Sequence, residues 1–175
     1  MIIRREWAMP NKWTFQIEPI AKLIGRYVGD GKGWIDPFAG ETSPAEITND
    51  LNKLRRTKYH LDAEDFCKGL TGQYEGILFD PPYSYRQITE CYQDMGLKAS
   101  QLDTSSNYYN RVKNAACDKI KPGGYAICCG WNTNGFGKNR GFEFIEILII
   151  AHGAHHNDTL VTVERKVNHN LNISS

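Results

Sequence analysis

Apolar positions along the chain follow two periods. Ile17, Ile20, Leu23, Ile24, Tyr27 and Val28 recur every three to four residues and predict an amphipathic helix over 17–28. Pro19 suits its first turn, and Gly29-Asp30-Gly31 stops it. Ile88, Cys91, Tyr92 and Met95 predict a second helix ending at Gly96. Tyr109, Val112, Ala116 and Ile120 predict another, closed by Lys121-Pro122-Gly123-Gly124. Short runs bounded by turn residues, at Gly33–Asp36, Ile47–Asp50, Gly76–Phe79 and Tyr125–Cys129, read as strands. Phe142–Ala151 and Thr159–Lys166 are rich in β-branched residues and flank a polar turn, the pattern of a closing β-hairpin. Residues 97–106 read as a polar, mobile loop and 167–175 as a frayed end.

Chemistry concentrates where the run Gly76-Ile77-Leu78-Phe79 meets Asp80-Pro81-Pro82-Tyr83. Two successive prolines cannot continue a sheet ladder, so the chain leaves the sheet there. Asp80 and Tyr83 then stand at a strand end, where open α/β sheets build their sites. Asp-Pro-Pro-Tyr after a hydrophobic strand resembles the catalytic motif of amino-methyltransferases, above all the adenine-specific (N6) DNA methyltransferases of compact, phage-like type. An exocyclic amine conjugated to a purine is a poor nucleophile. The resemblance implies that the Asp80 carboxylate and the Pro81 carbonyl accept its N–H bonds and free its lone pair. Pro82 completes the rigid turn, and Tyr83 stacks on a base swung out of its helix. Such stacking is worth roughly 1–3 kcal/mol, comparable to the cost of flipping.

The same family supplies a cofactor motif resembling Asp36-Pro37-Phe38-Ala39-Gly40, at the end of the first apolar strand. The glycine allows close backbone approach, and nearby amides can meet a carboxylate. The family pattern continues with a second glycine and a helix of several turns. Here Glu41-Thr42-Ser43-Pro44-Ala45-Glu46 runs directly into the next strand, so the crossover shrinks to a turn or loop. By the same resemblance, Thr14 and Phe15 help hold the methionine end of S-adenosylmethionine, Asp50 meets the ribose hydroxyls, and Tyr59–Ala63 is a third strand whose Asp62 with Ala63 meets the adenine. The implied fold is a Rossmann-like S-adenosylmethionine-dependent methyltransferase fold, α/β, with a mostly parallel seven-stranded sheet and an antiparallel strand near the C-terminus. It forms a single domain over 1–175, with its core over about 13–166 and no room for a separate target-recognition domain. The implied reaction is methyl transfer from S-adenosylmethionine to the exocyclic amine of adenine in DNA. RNA or cytosine as target, or a weakly active or non-catalytic subunit within a complex, are the alternatives. An oxidoreductase is disfavoured, because no G-x-G-x-x-G turn follows the first strand.

Composition alters this picture little. A chain of 175 residues with 41% hydrophobic and 23% charged content suits one soluble domain. Five cysteines without a C-x-x-C pair suggest free thiols in a reducing cytoplasm, bacterial or phage-infected. The N-terminus carries no signal-peptide core, and Phe144–Ala151, interrupted by Glu146, is too short to span a bilayer. His152, His155 and His156 read as turn residues, and methyl transfer from a sulfonium needs no metal. A net charge of +1 leaves nucleic-acid contact to local groups: Tyr85 and Arg86 after the catalytic motif, and Trp131, Lys138 and Arg140 in the Gly/Asn-rich segment 131–141, where Phe136 is a second stacking candidate. A homodimer or a partner subunit would supply the remaining recognition.

Overall fold

The computed structural model describes residues 1–82, 106–153 and 156–167. Seven strands form one sheet: β1 (Ile2–Trp7), β2 (Trp34–Asp36), β3 (Ile47–Thr48), β4 (Tyr74–Phe79), β5 (Ile120–Gly130), β6 (Phe142–Ala151) and β7 (Thr159–Lys166). Their spatial order is β1-β6-β7-β5-β4-β2-β3. β7 runs antiparallel to both β5 and β6, and every other pairing is parallel.

Ile77–Phe79 of β4 and Ala126–Cys129 of β5 form continuous apolar runs because both faces are covered there, which is why they show no alternation in sequence. Successive side chains of β4 nevertheless part company. Leu78 points to the face covered by helix α1 (Glu18–Tyr27), with Ile20, Leu23, Ile24 and Val28. Ile77 and Phe79 point to the other face, against Phe66 and Cys67 of α2 (Ala63–Gly69) and Val112 and Ala116 of α3 (Ser106–Cys117). Burial pushes the Cys67 and Cys128 thiols up to about 12.

The structure departs from the sequence expectation in four places. Its outermost strand, β1, comes from residues upstream of the expected core. The expected strand at 59–63 is reduced to a single parallel bridge between Asn49 and Tyr59. Ile120, expected to close a helix, instead opens β5 opposite Tyr74, and α3 ends at Cys117. Ser106, placed in the polar loop, begins α3; the rest of that loop, the expected helix over 88–95 and the tail from 168 lie outside the described residues.

Glu146 is the one acid fully buried in β6, at a shift of register between Phe144 and Glu146. It accepts hydrogen bonds from Arg26 and Tyr27 of α1, each at 2.8 Å, and pairs with Arg4 of β1 at 3.5 Å. Burial raises its carboxyl, but these donors outweigh burial and leave it below the ordinary range. His152 ties the other end of β1 to the hairpin: its Nδ1 lies 2.8 Å from the Ala8 carbonyl and its Nε2 2.8 Å from the Thr159 hydroxyl. This histidine is structural, as the sequence suggested; His155 lies outside the described residues.

Candidate functional site

The C-terminal ends of β2 and β4, side by side in the sheet, carry the two motifs. Asp36 closes β2 and is fully buried. The Ser43 hydroxyl donates to its Oδ2 at 2.6 Å, and the Phe38 amide to its Oδ1 at 2.9 Å. Burial pushes its pKa up to about 7; the two hydrogen bonds oppose this, and the charges of Asp80 and Asp50 add to it. Three acids therefore converge at this end of the sheet. Burial, with Asp80 and Asp36 nearby, also holds the Cys129 thiol well above its ordinary range.

Polar ties replace the missing helix after β2. Residues 37–46 cross to β3 as a turn and loop, as the shortened sequence predicts. The Gly40 amide donates to Asp50 Oδ2 at 3.1 Å, and the Asn52 amide to Asp50 Oδ1 at 2.8 Å. Asp50 is raised by burial, against those two hydrogen bonds. Gly40 adopts φ +56°, a conformation glycine alone takes without strain. A Cβ there would also stand 3.0 Å from the Trp13 ring. Trp13 leads into the 3-10 turn Thr14–Gln16, so the Thr14–Phe15 segment and the Gly40 turn come together.

Asn49, which the sequence did not single out, is the buried clasp of this region. Its side-chain amide donates to the carbonyls of Pro37 at 3.1 Å and Leu61 at 3.0 Å, and its Oδ1 accepts from the Leu61 amide at 2.9 Å. The Asp62 carboxylate caps α2 through the amides of Glu64 and Asp65 and accepts the Tyr108 hydroxyl at 2.7 Å. Asp62 is thus first a helix cap, with Ala63 buried behind it.

An aromatic cluster joins the two motifs. Phe38 packs edge-on to Phe79 and Tyr109, with ring centroids 5.3 and 6.1 Å apart. The Tyr109 hydroxyl donates to the Pro82 carbonyl at 2.5 Å, fixing the turn that follows Asp80. Phe38 is therefore a packing residue as well as part of the cofactor motif. Tyr108 and Tyr109 both serve the site from α3, where periodicity marks Tyr109 only as a position of the helix. Tyr83, Tyr85 and Arg86 lie outside the described residues.

The segment 131–141 is anchored rather than loose. Phe136 is buried, which removes it as a stacking surface. The amides of Phe136 and Gly137 donate to buried Glu164 of β7, and Lys113 of α3 caps the carbonyls of Asn134 and Gly135. Arg140, expected to face nucleic acid, spends its guanidinium on Asn114, Asn110 and the Phe136 carbonyl. Its planar fork suits three fixed acceptors within the chain. Trp131, at 44% exposure, and Lys138 remain on the surface.

No protein-family model matches the chain, and no curated protein matches it in sequence. Solved structures do. TrmN from Thermus thermophilus superposes with a TM-score of 0.57 at 15% identity, over 87% of this chain and 49% of TrmN. The N-methyltransferase NodS from Bradyrhizobium japonicum WM9, in complex with S-adenosyl-L-homocysteine, gives 0.56 at 10% identity, covering 90% of each chain. The fold is that of the S-adenosylmethionine-dependent methyltransferases. The 1,6-didemethyltoxoflavin N1-methyltransferase from Burkholderia thailandensis, with S-adenosylhomocysteine bound, gives 0.55 at 10% identity over 86% of this chain and 77% of its own. The chain thus spans about half of TrmN and most of the other two. Within this methyltransferase fold, the antiparallel strand expected near the C-terminus is β7, which lies between β5 and β6, and the Asp36 turn and Asp80 share one end of the sheet. Among the described residues no helix is long and apolar enough to cross a membrane.

Proposed function

We propose that this chain transfers a methyl group from S-adenosylmethionine to the exocyclic amine of adenine in DNA. One observation carries this: Asp80 directly follows β4, beside the end of β2 where Asp36 is buried. A motif suited to activating an amine thus sits next to one suited to a nucleoside cofactor. The residues present fit that cofactor. Gly40 turns the chain at a positive φ so that its amide meets Asp50, and each Asp50 oxygen accepts one amide and keeps a lone pair for a hydroxyl. Asp36 to Gly40, Asp50, Asp62–Ala63 and Thr14–Phe15 would hold it. The cofactor supplies a methyl made electrophilic by its sulfonium charge.

The chain's own work is then positioning. Asp80 and the Pro81 carbonyl accept the two amine N–H bonds, and the rigid Pro-Pro backbone keeps that carbonyl aimed. Tyr109 steadies the next carbonyl, and Tyr83 stacks on the base. Lys138 and Trp131 lie on the exposed side of 131–141, where they would meet DNA; Arg140 holds that segment in shape.

The test is nucleoside mass spectrometry of genomic DNA from a methylation-free bacterial host expressing the chain, with Asp80→Ala as control. N-methyladenine with the intact chain only is the expected result. No methylated base in either strain would remove DNA as the target, and RNA would be assayed next. A second reading has its own observation: the crossover after Gly40 lacks a helix, and Trp13 packs against Gly40. A methyltransferase-like subunit with little cofactor affinity would look the same. Calorimetry with S-adenosylmethionine separates the two, since only an enzyme must bind it.

A further inference from the structure

β1 forms one edge of the sheet, and all six of its residues are exposed. Ile3 and Trp7 are 61% and 65% exposed. The row of unpaired N–H and C=O groups along an edge strand is a template for another strand. Its backbone polarity follows from one hydrogen bond. The amide of Ala8, next after β1, donates to the Ala151 carbonyl of β6 at 3.2 Å. In a parallel pair, alternate residues turn both main-chain groups to the same neighbour. Ile2, Arg4 and Glu6 therefore bond to β6, while Ile3, Arg5 and Trp7 offer their N–H and C=O groups to the open edge.

We propose that β1 pairs antiparallel with β1 of a second copy of this chain, about a two-fold axis through Arg5, joining two sheets into one. Paired open groups require outward residues to face outward residues, which leaves three registers with good overlap. Centring on Arg4 sets Arg4 against itself and Ile2 against Glu6. Centring on Glu6 sets Glu6 against itself. Centring on Arg5 sets Arg4 against Glu6, twice by symmetry, in the close non-hydrogen-bonded pairs. Arg4 leans on buried Glu146 yet keeps 47% of its side chain exposed, so its guanidinium retains donors for a second carboxylate.

The other face matches as well. Ile3 meets Trp7 of the second copy, twice, a β-branched residue against an aromatic ring. This apolar stripe continues onto β6, where Ile147 lies opposite Ile3 and Ile149 opposite Arg5, both half-buried. Arg5 meets its own symmetry mate. That contact is solvent-exposed and screened by salt, and each guanidinium lies within diagonal reach of a Trp7 ring. Pairing of this kind does not depend on methyl transfer.

Sedimentation over a concentration series, with four variants, tests the register. The wild-type chain should self-associate to a dimer. Arg5→Pro removes an outward donor without touching the ladder to β6, and should give a monomer with an unchanged far-ultraviolet spectrum. Glu6→Arg sets like charges opposite each other and should weaken the dimer at least about tenfold. Arg5→Cys places two thiols on hydrogen-bonded residues whose Cα atoms stand about 5.5 Å apart, within disulfide range, so oxidation should link two chains. Glu6→Cys, facing Arg4, should link no more than the wild-type chain does. A wild-type monomer at every concentration overturns the pairing. So does a dimer indifferent to Glu6→Arg, or one cross-linked through position 6 rather than 5. Should Arg5→Pro fail to fold, Glu6→Arg and the two cysteine variants decide alone.

Discussion

Asp36 offers a quantitative test of the site's electrostatics. Its carboxyl, ordinarily near 3.8, is pushed to about 7, chiefly by burial. Folding therefore takes up a proton between pH 4 and 7. An acid raised in the folded state is held most comfortably below its unfolded pKa, and stability falls as pH rises toward the folded value. Three units at 1.36 kcal/mol each set a ceiling of about 4 kcal/mol, fully lost above pH 7. Asp36→Asn keeps an acceptor for the Phe38 amide and a polar group for Ser43, but cannot ionise. The variant should match wild type near pH 4 and exceed it by up to about 4 kcal/mol at pH 8. Urea denaturation of both proteins at half-unit steps of pH measures the difference and cancels the other carboxylates. A difference that stays flat from pH 4 to 8 would refute the assignment of a buried, raised Asp36.

Glu146 should show the opposite sign: its pKa is held below 4.5, so its stabilisation is present above that value and disappears as pH falls through the lower folded one. Wild type should therefore be more stable than Glu146→Gln at neutral pH and lose that advantage in acid, as followed by thermal melts. Asn49→Ala removes three hydrogen bonds from a buried clasp and should cost about 2–4 kcal/mol in denaturant titrations. Tyr109→Phe should cost about 1 kcal/mol of stability and lower kcat about tenfold, with cofactor affinity by calorimetry unchanged. Gly31→Ala would set a Cβ 1.9 Å from the Pro44 carbonyl at φ +81°, and should prevent soluble expression.

The strands and helices that bury apolar faces were legible because burial writes a period into the sequence. Residues 17–28 and the β6–β7 hairpin follow it closely. β1 escaped because both its faces are exposed, so Ile2-Ile3-Arg4-Arg5-Glu6-Trp7 carries no core pattern. Ile120 reads as helical because one apolar residue at i+4 fits a helix as well as the start of a strand. The ends of β2 and β4 were legible from acids followed by prolines. What Arg140 and Phe136 do was not, since a Gly/Asn-rich segment looks the same whether it is loose or pinned by a distant carboxylate. Glu164 lies 28 positions beyond Phe136.

The shortened crossover shows how such distant ties substitute for a helix. A helix after β2 would satisfy its own main chain and present its first amides to a ligand. Residues 37–46 have no such internal ladder, and borrow partners instead. The Glu46 amide donates to the Gly31 carbonyl at 3.1 Å, and Glu46 Oε2 accepts the Gly33 amide at 2.7 Å. Ser43 reaches Asp36, Gly40 reaches Asp50, and the Ala39 amide donates to the Asn49 carbonyl at 2.9 Å. Each tie spans a short stretch of chain, so little entropy is spent on closing it. The turn keeps its shape without a helix, but its acids become load-sharing parts of the fold as well as candidate ligands. Asp50 and Asp36 cannot be removed from cofactor binding without also loosening the turn that presents Gly40. Conservative replacements such as Asp36→Asn are therefore the ones that separate binding from folding here.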